Sequence, residues 1–160
     1  MSDNSNRHGV AYWTATVAGL GRVPLMPGTA GSAAGIVLWI GTSMMPATLY
    51  FQAGLCLVLL AAGIWSGSVV EKNDQVKDPS YVVIDETLGM LITLMGISLS
   101  WLGGIAGFIL FRIFDIWKPF PIGPLQRIKG GTGIMIDDIA AGIAGAIFVR
   151  VLLRLVTHLI

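Results

Sequence analysis

The sequence predicts an all-α, multi-helix integral membrane protein whose short or re-entrant helices hold a polar site at the cytoplasmic membrane edge. Three observations predict it. Of 160 residues, 54% are hydrophobic and 12% charged, with a mean hydropathy of +0.78, whereas soluble chains carry about 25% charged residues. Residues 49–70 run for 22 positions without a charge, enough to cross a bilayer core of about 30 Å. The acids gather in short stretches directly beside apolar runs, where an ionised carboxylate is costly unless it is paired or binds a cation.

The elements follow in order. Residues 1–10 are polar, lack the charged-then-apolar order of a cleavable signal peptide, and read as a flexible tail. Residues 33–45 form a short apolar helix stopped by Pro46, and 49–70 is the best spanning segment. Residues 87–97 and 103–114 are two half-length helices or one interrupted span, tolerated where broken backbone is buried in protein. Residues 139–160 make a last helix, interrupted by Arg150, Arg154 and His158. No linker divides the chain, so residues 1–160 are expected to form a single membrane-embedded domain.

Pairing 33–45 with 49–70, and 87–97 with 103–114, as two hairpins puts residues 21–32, 71–86 and 115–138 on one side. That side holds all nine acids together with Arg7, Arg22, Lys72, Lys77, Arg112, Lys118, Arg127 and Lys129. The opposite turns, 46–48 and 98–102, carry no charge. Basic residues favour the cytoplasm, so the charged face is expected there. The stretch 71–78 reads as a solvated connector.

Several functions are disfavoured. A net charge of +1 without a basic run gives no argument for nucleic acid. Cys56 lies inside an apolar run and reads as a packing residue, with no disulfide partner. His8 and His158 sit near the chain ends, outside every motif. Lys129-Gly130-Gly131-Thr132-Gly133 lacks the Gly-Lys-Ser/Thr ending of a nucleotide loop.

The remaining constellations are acidic and basic. Asp85-Glu86 and Asp137-Asp138 each precede an apolar run and read as helix starts, where one acid caps and the second faces a neighbour. Arg112, Asp115 and Lys118 recur at steps of three, on one side of a helix that Pro119 and Pro121 end. The bland alternatives are capping alone and a structural ion ladder. The functional reading gives the carboxylates to a hard cation, above all Mg²⁺, and Arg112 and Lys118 to phosphate oxygens. Pro24–Ser32 is a Pro/Gly loop in which Thr29 and Ser32 would cap the next helix, while Gly28 and Gly31 let amides approach an anion. The residues alone thus point to metal-dependent chemistry on an anionic lipid head group.

Four blocks then carry a resemblance. Pro24–Ser32, Val83-Ile-Asp85-Glu86-Thr-Leu-Gly89-Met90, Phe111-Arg112-Ile-Phe-Asp115-Ile-Trp117-Lys118-Pro119 and Gly130-Gly131-Thr-Gly133-Ile-Met-Ile-Asp137-Asp138-Ile139 are collinear over about residues 19–145 and resemble the phosphatidylglycerophosphatase A family. The resemblance implies an all-helical, Mg²⁺-dependent hydrolase of the inner membrane that converts phosphatidylglycerophosphate to phosphatidylglycerol and phosphate. Metal ligation is then expected from Asp85, Glu86, Asp115, Asp137 and Asp138, with Arg112 and Lys118 beside them in catalysis. Substrate binding is expected from Pro27, Gly28, Thr29, Gly31, Ser32, Trp117 and Lys129, with Phe120 and Trp117 seating the acyl-glycerol part. The expected partners are the anionic phospholipid and the bilayer, with an oligomer admitted. The alternatives are a CDP-alcohol phosphotransferase, whose Asp-Gly-x-x-Ala-Arg signature is absent, and a small membrane transporter.

Overall fold

The computed structural model describes residues 9–125 and 128–159; Arg7, His8, Arg127 and most of the expected tail lie outside them. Among the described residues there is no strand. Seven helices follow one another: α1 (Val10–Ala15), α2 (Pro27–Ser43), α3 (Thr48–Asp74), α4 (Ile84–Leu94), α5 (Trp101–Trp117), α6 (Ile122–Leu125) and α7 (Gly131–Leu159), with a 3₁₀ turn at Leu20–Arg22. The two apolar runs at 87–97 and 103–114 are therefore separate helices, α4 and α5, not one interrupted span.

Two helices are long and apolar enough to cross a bilayer, Thr48–Asp74 with mean hydropathy 2.0 and Gly131–Val156 with 2.1. Only 22% of each apolar window is buried inside the molecule. A soluble protein's core helix would be buried on most sides, so these exposed apolar faces indicate association with a membrane.

The short helix α4 is the centre of the bundle, packed by α7, α2, α3 and α5. Nine of its eleven residues are buried, among them Leu88, Met90, Leu91 and Leu94. At 1.5 Å per residue it is about 16 Å long, half of the roughly 30 Å of a bilayer core. Its far end stops among the neighbouring helices, where its polar backbone needs partners. Gly96, at φ +72, makes the turn. The Gly96 N–H donates to Gln52 Oε1 at 2.9 Å, and Gln52 Nε2 donates to Thr42 Oγ1 at 3.3 Å. Arg150 Nη2 donates to the Met95 carbonyl at 2.5 Å.

The near end of α4 is pinned by sequence-distant contacts. Val83 N–H donates to the Ala15 carbonyl of α1 at 2.9 Å, and the Thr87 hydroxyl to the Gly31 carbonyl of α2 at 2.9 Å. Tyr12 stacks on Tyr81, and both hydroxyls donate to Asp74. These contacts hold residues 79–83 against the bundle, while residues 75–78 stay exposed, as expected of a solvated connector.

Three helix starts differ from expectation. α4 has Val83 at its cap position, and neither Asp85 nor Glu86 caps it, both lying inside its first turn. α7 begins at Gly131, whose N–H donates to Ser68 Oγ of α3 at 2.9 Å, so Asp137 and Asp138 lie in a helix interior and cap nothing. α2 begins at Pro27 with no side-chain cap. Thr29 and Ser32 lie within it, and Ser32 Oγ donates back to the Gly28 carbonyl at 2.8 Å.

Candidate active site

A glycine crossing builds the site. Where α4 meets α7, a Cβ on Gly142 would sit 2.5 Å from the Gly89 carbonyl oxygen, and one on Gly89 would sit 2.7 Å from the Asp138 carbonyl oxygen. Only hydrogen at these positions lets the two backbones touch. Asp85 lies one helical turn before Gly89, and Asp138 one turn before Gly142, so each side chain projects beside the crossing. The result is a cluster in which Asp85, Glu86 and Asp138 each bring a carboxylate oxygen within 4.8 Å of the others.

The basic residues of α5 face this trio. Arg112 Nη1 is 2.6 Å from Asp115 Oδ2. Lys118 caps the C-terminus of α5 at φ 40, a left-handed turn that folds its side chain back onto the cluster. Its Nζ lies 2.5 Å from Asp137 Oδ2 and 3.9 Å from both Asp115 Oδ1 and Asp138 Oδ1. The structure thus divides the five expected carboxylates. Asp85, Glu86 and Asp138 converge, while Asp115 and Asp137 each hold a cation.

Charge is not balanced there. Asp85, Asp115, Asp137 and Asp138 are all less than 9% exposed, and among the described residues Arg112 and Lys118 are the cations paired with them. Seven buried side-chain oxygens lack a hydrogen-bond partner among the described residues, and four belong to the site: Asp85 Oδ1, Glu86 Oε2, Asp137 Oδ1 and Asp138 Oδ2. Burial, joined by the charge of Glu86, pushes Asp85 well above the usual carboxylate range, and burial pushes Glu86 up to about 8. Burial and the charge of Asp137 also raise Asp78. Burial alone would lower Lys118, but its bond to Asp137 and the surrounding carboxylates hold it above its ordinary value. Orphaned, buried, all-oxygen donors fit a hard divalent cation such as Mg²⁺.

A pocket of about 420 Å³ opens over the cluster. It is lined by Asp85, Glu86, Asp138, Arg112, Asp115 and Lys118, by Leu25–Thr29 from the start of α2, and by Asp78, Ser80 and Val82. The first turn of α2 brings backbone amides without helical partners to its rim. A Cβ on Gly28 would lie 2.5 Å from Glu86 Oε1 and 3.0 Å from Arg112 Nη1, so a larger residue would displace the ends of these two side chains.

Of the expected substrate-binding residues, Pro27, Gly28, Thr29, Arg112 and Lys118 line this pocket. Gly31 and Ser32 are buried in the α2–α4 contact, where a Cβ on Gly31 would meet the Val83 carbonyl at 2.7 Å. Trp117 is 80% exposed and, like the exposed Lys129, stands off the pocket wall. Asp78 was passed over as connector; its one sequence signal is an acid seven residues before Asp85, bounded by Pro79.

Comparison with known proteins agrees with these motifs. The phosphatidylglycerophosphatase A family model matches residues 13–153. The Escherichia coli (strain K12) phosphatidylglycerophosphatase A is 41% identical over 133 residues, covering 80% of this chain and 74% of the relative. The Haemophilus influenzae protein of the same name is 39% identical over 135 residues, covering 82% and 81%. A Bacteroides thetaiotaomicron protein, provisionally named a phosphatidylinositol-3-phosphatase, is 38% identical over 140 residues, covering 83% and 87%. No solved structure matches the chain significantly.

Proposed function

The chain belongs to the phosphatidylglycerophosphatase A family, and from that premise we propose that it is a membrane phosphatase that hydrolyses phosphatidylglycerophosphate to phosphatidylglycerol and inorganic phosphate. The observation that carries the reading is the convergence of three buried, under-partnered carboxylates within 4.8 Å, facing Arg112 and Lys118 in an open pocket. Asp85, Glu86 and Asp138 would hold Mg²⁺. When bound, the ion supplies Lewis acidity and offsets the negative charge of the phosphoryl group.

The protein's own groups do the rest. Arg112 and Lys118 neutralise charge that grows on the transferring oxygens. Asp115 and Asp137 keep those two cations aimed at the pocket through bonds of 2.6 and 2.5 Å. Thr29 and the amides at the start of α2 bind the second phosphate. A carboxylate of the trio takes the proton from the water that attacks phosphorus and returns it to the glycerol oxygen as the bond from that oxygen to phosphorus breaks. The clustering of ionisable groups at one end of the bundle supports a site at the cytoplasmic edge of the inner membrane, reached by a multi-pass chain.

The test is phosphate release from phosphatidylglycerophosphate in detergent micelles, with Mg²⁺ or with EDTA. Release that requires the divalent ion is expected. Folded protein that releases no phosphate under any divalent cation would sink the assignment. The Bacteroides relative favours a second reading, in which the pocket also accepts a phosphorylated inositol lipid; phosphatidylinositol 3-phosphate in the same assay decides it.

A further inference from the structure

A second cavity lies on the same two helices as the site. It is an apolar groove of about 770 Å³ between α2 and α5, with Ile36 and Ile40 on one wall and Ile105 and Phe108 on the other. The two helices scarcely touch, which leaves the groove open along its length. Trp39 forms the floor, 2% exposed and fixed by its Nε1 donating to the Ile97 carbonyl at 3.3 Å. Gly104 faces that floor, and a Cβ there would come to 3.5 Å from the Trp39 ring. The hydroxyl of Ser100 at its end already accepts from Gly103 N–H at 3.1 Å, so the groove offers little to a polar ligand.

The helical register joins groove to site. On α5, Trp101, Ile105, Phe108, Arg112 and Asp115 follow at steps of four, three, four and three, and so share one face. The lower three line the groove and the upper two the polar pocket. On α2, Thr29, Ala33, Ile36 and Ile40 repeat the pattern, with Thr29 in the pocket, Ile36 and Ile40 in the groove, and an alanine between them. From Arg112 to Trp101 the rise is about 16 Å, half of a bilayer core of roughly 30 Å. That is the depth of one leaflet.

We infer that the α2–α5 groove holds an acyl chain of the phosphorylated lipid whose head group sits in the acidic pocket. The inference rests on the phosphatase reading above. Apolar walls, one-leaflet depth and an unbroken face leading up to Arg112 suit a fatty chain descending from a glycerol at the pocket rim. The groove would give the enzyme a preference for long-chain over short-chain substrate.

The experiment compares kcat/KM for dioleoyl and dihexanoyl phosphatidylglycerophosphate, using the full chain in detergent micelles with Mg²⁺. Gly104→Leu fills the groove, and Ile105→Asn makes its wall polar. Val37→Asn, on α2 outside the groove and 67% exposed, is the control. In both groove variants the long-to-short ratio is expected to fall about tenfold, the equivalent of roughly two buried methylenes, while the control keeps the wild-type ratio. Should Gly104→Leu fail to fold, Ile105→Asn decides alone. An unchanged ratio in the groove variants, or an equal fall in the control, overturns the assignment and leaves the groove to bulk lipid or a second copy of the chain. Wild-type protein inert on both substrates would instead defeat the phosphatase reading.

Discussion

The two ends of α4 meet the same difficulty and resolve it in opposite ways. At the far end, polar groups in apolar surroundings are matched: Gln52 takes the Gly96 N–H, and Arg150 takes the Met95 carbonyl. At the near end, one buried oxygen on each of Asp85, Glu86, Asp137 and Asp138 has no hydrogen-bond donor among the described residues. A matched polar group is a structural device that lets a short helix stop inside a bundle. An unmatched set of like charges is a cost to folding, on the order of 1–3 kcal/mol per group and more when charged. On the function proposed above, the near end is the one that receives a ligand.

The largest expected effect breaks the near end. Asp138→Asn should lower phosphate release by about 10³-fold or more, the scale of losing a preorganised electrostatic group. Without divalent cation its thermal stability should equal or exceed wild type, because a like charge has left the trio. A melting temperature well below wild type would mean that Asp138 is structural. Next, saturating Mg²⁺ should stabilise the wild-type fold by about 2.7 kcal/mol at a hundredfold excess over Kd, and Asp138→Asn should lose most of that gain. Thermal melts with and without EDTA measure both. A cation-independent melting curve would argue against the ion site.

Gly142→Ala perturbs the crossing beneath the acids without touching a carboxylate. Its Cβ would meet the Gly89 carbonyl, so α4 and α7 must separate, and turnover should fall about 10-fold to 10²-fold, as a misplacement near 1 Å does. Wild-type kcat in this variant would show that the crossing does not set the geometry. The smallest effect belongs to the far end. Gln52→Leu strands the Gly96 N–H and should cost about 2 kcal/mol in unfolding, while turnover per folded molecule stays near wild type. Equal losses of turnover at both ends would erase the distinction between them.

Legibility in the sequence followed the range of the interaction. The Arg112, Asp115 and Lys118 series could be read because helical register is local, and the first of those pairs closes at 2.6 Å. The Asp85-Glu86 stretch does open a helix, in the first turn of α4. Asp137-Asp138 looked the same by composition, yet α7 starts six residues earlier, because Ser68 on α3 supplies its cap. Asp78 could not be found by pattern, since its place in the pocket follows from α1 bonding to Val83 and not from its neighbours in sequence.

By itself the sequence determined the class of molecule and the set of candidate polar residues: apolar helices from uncharged runs, a charged face from hairpin parity, and carboxylates with two cations from a handful of polar residues. Periodicity and solvation energies are properties of short stretches, so a linear reading captures them. Tertiary structure decided which acids converge and which hold cations, that Gly31 and Ser32 are buried where α2 meets α4, and that polar pocket and apolar groove share one helix face. Those outcomes depend on where helices cross, and the α4–α7 crossing is set by Gly89 meeting Gly142, a contact between residues far apart in the chain.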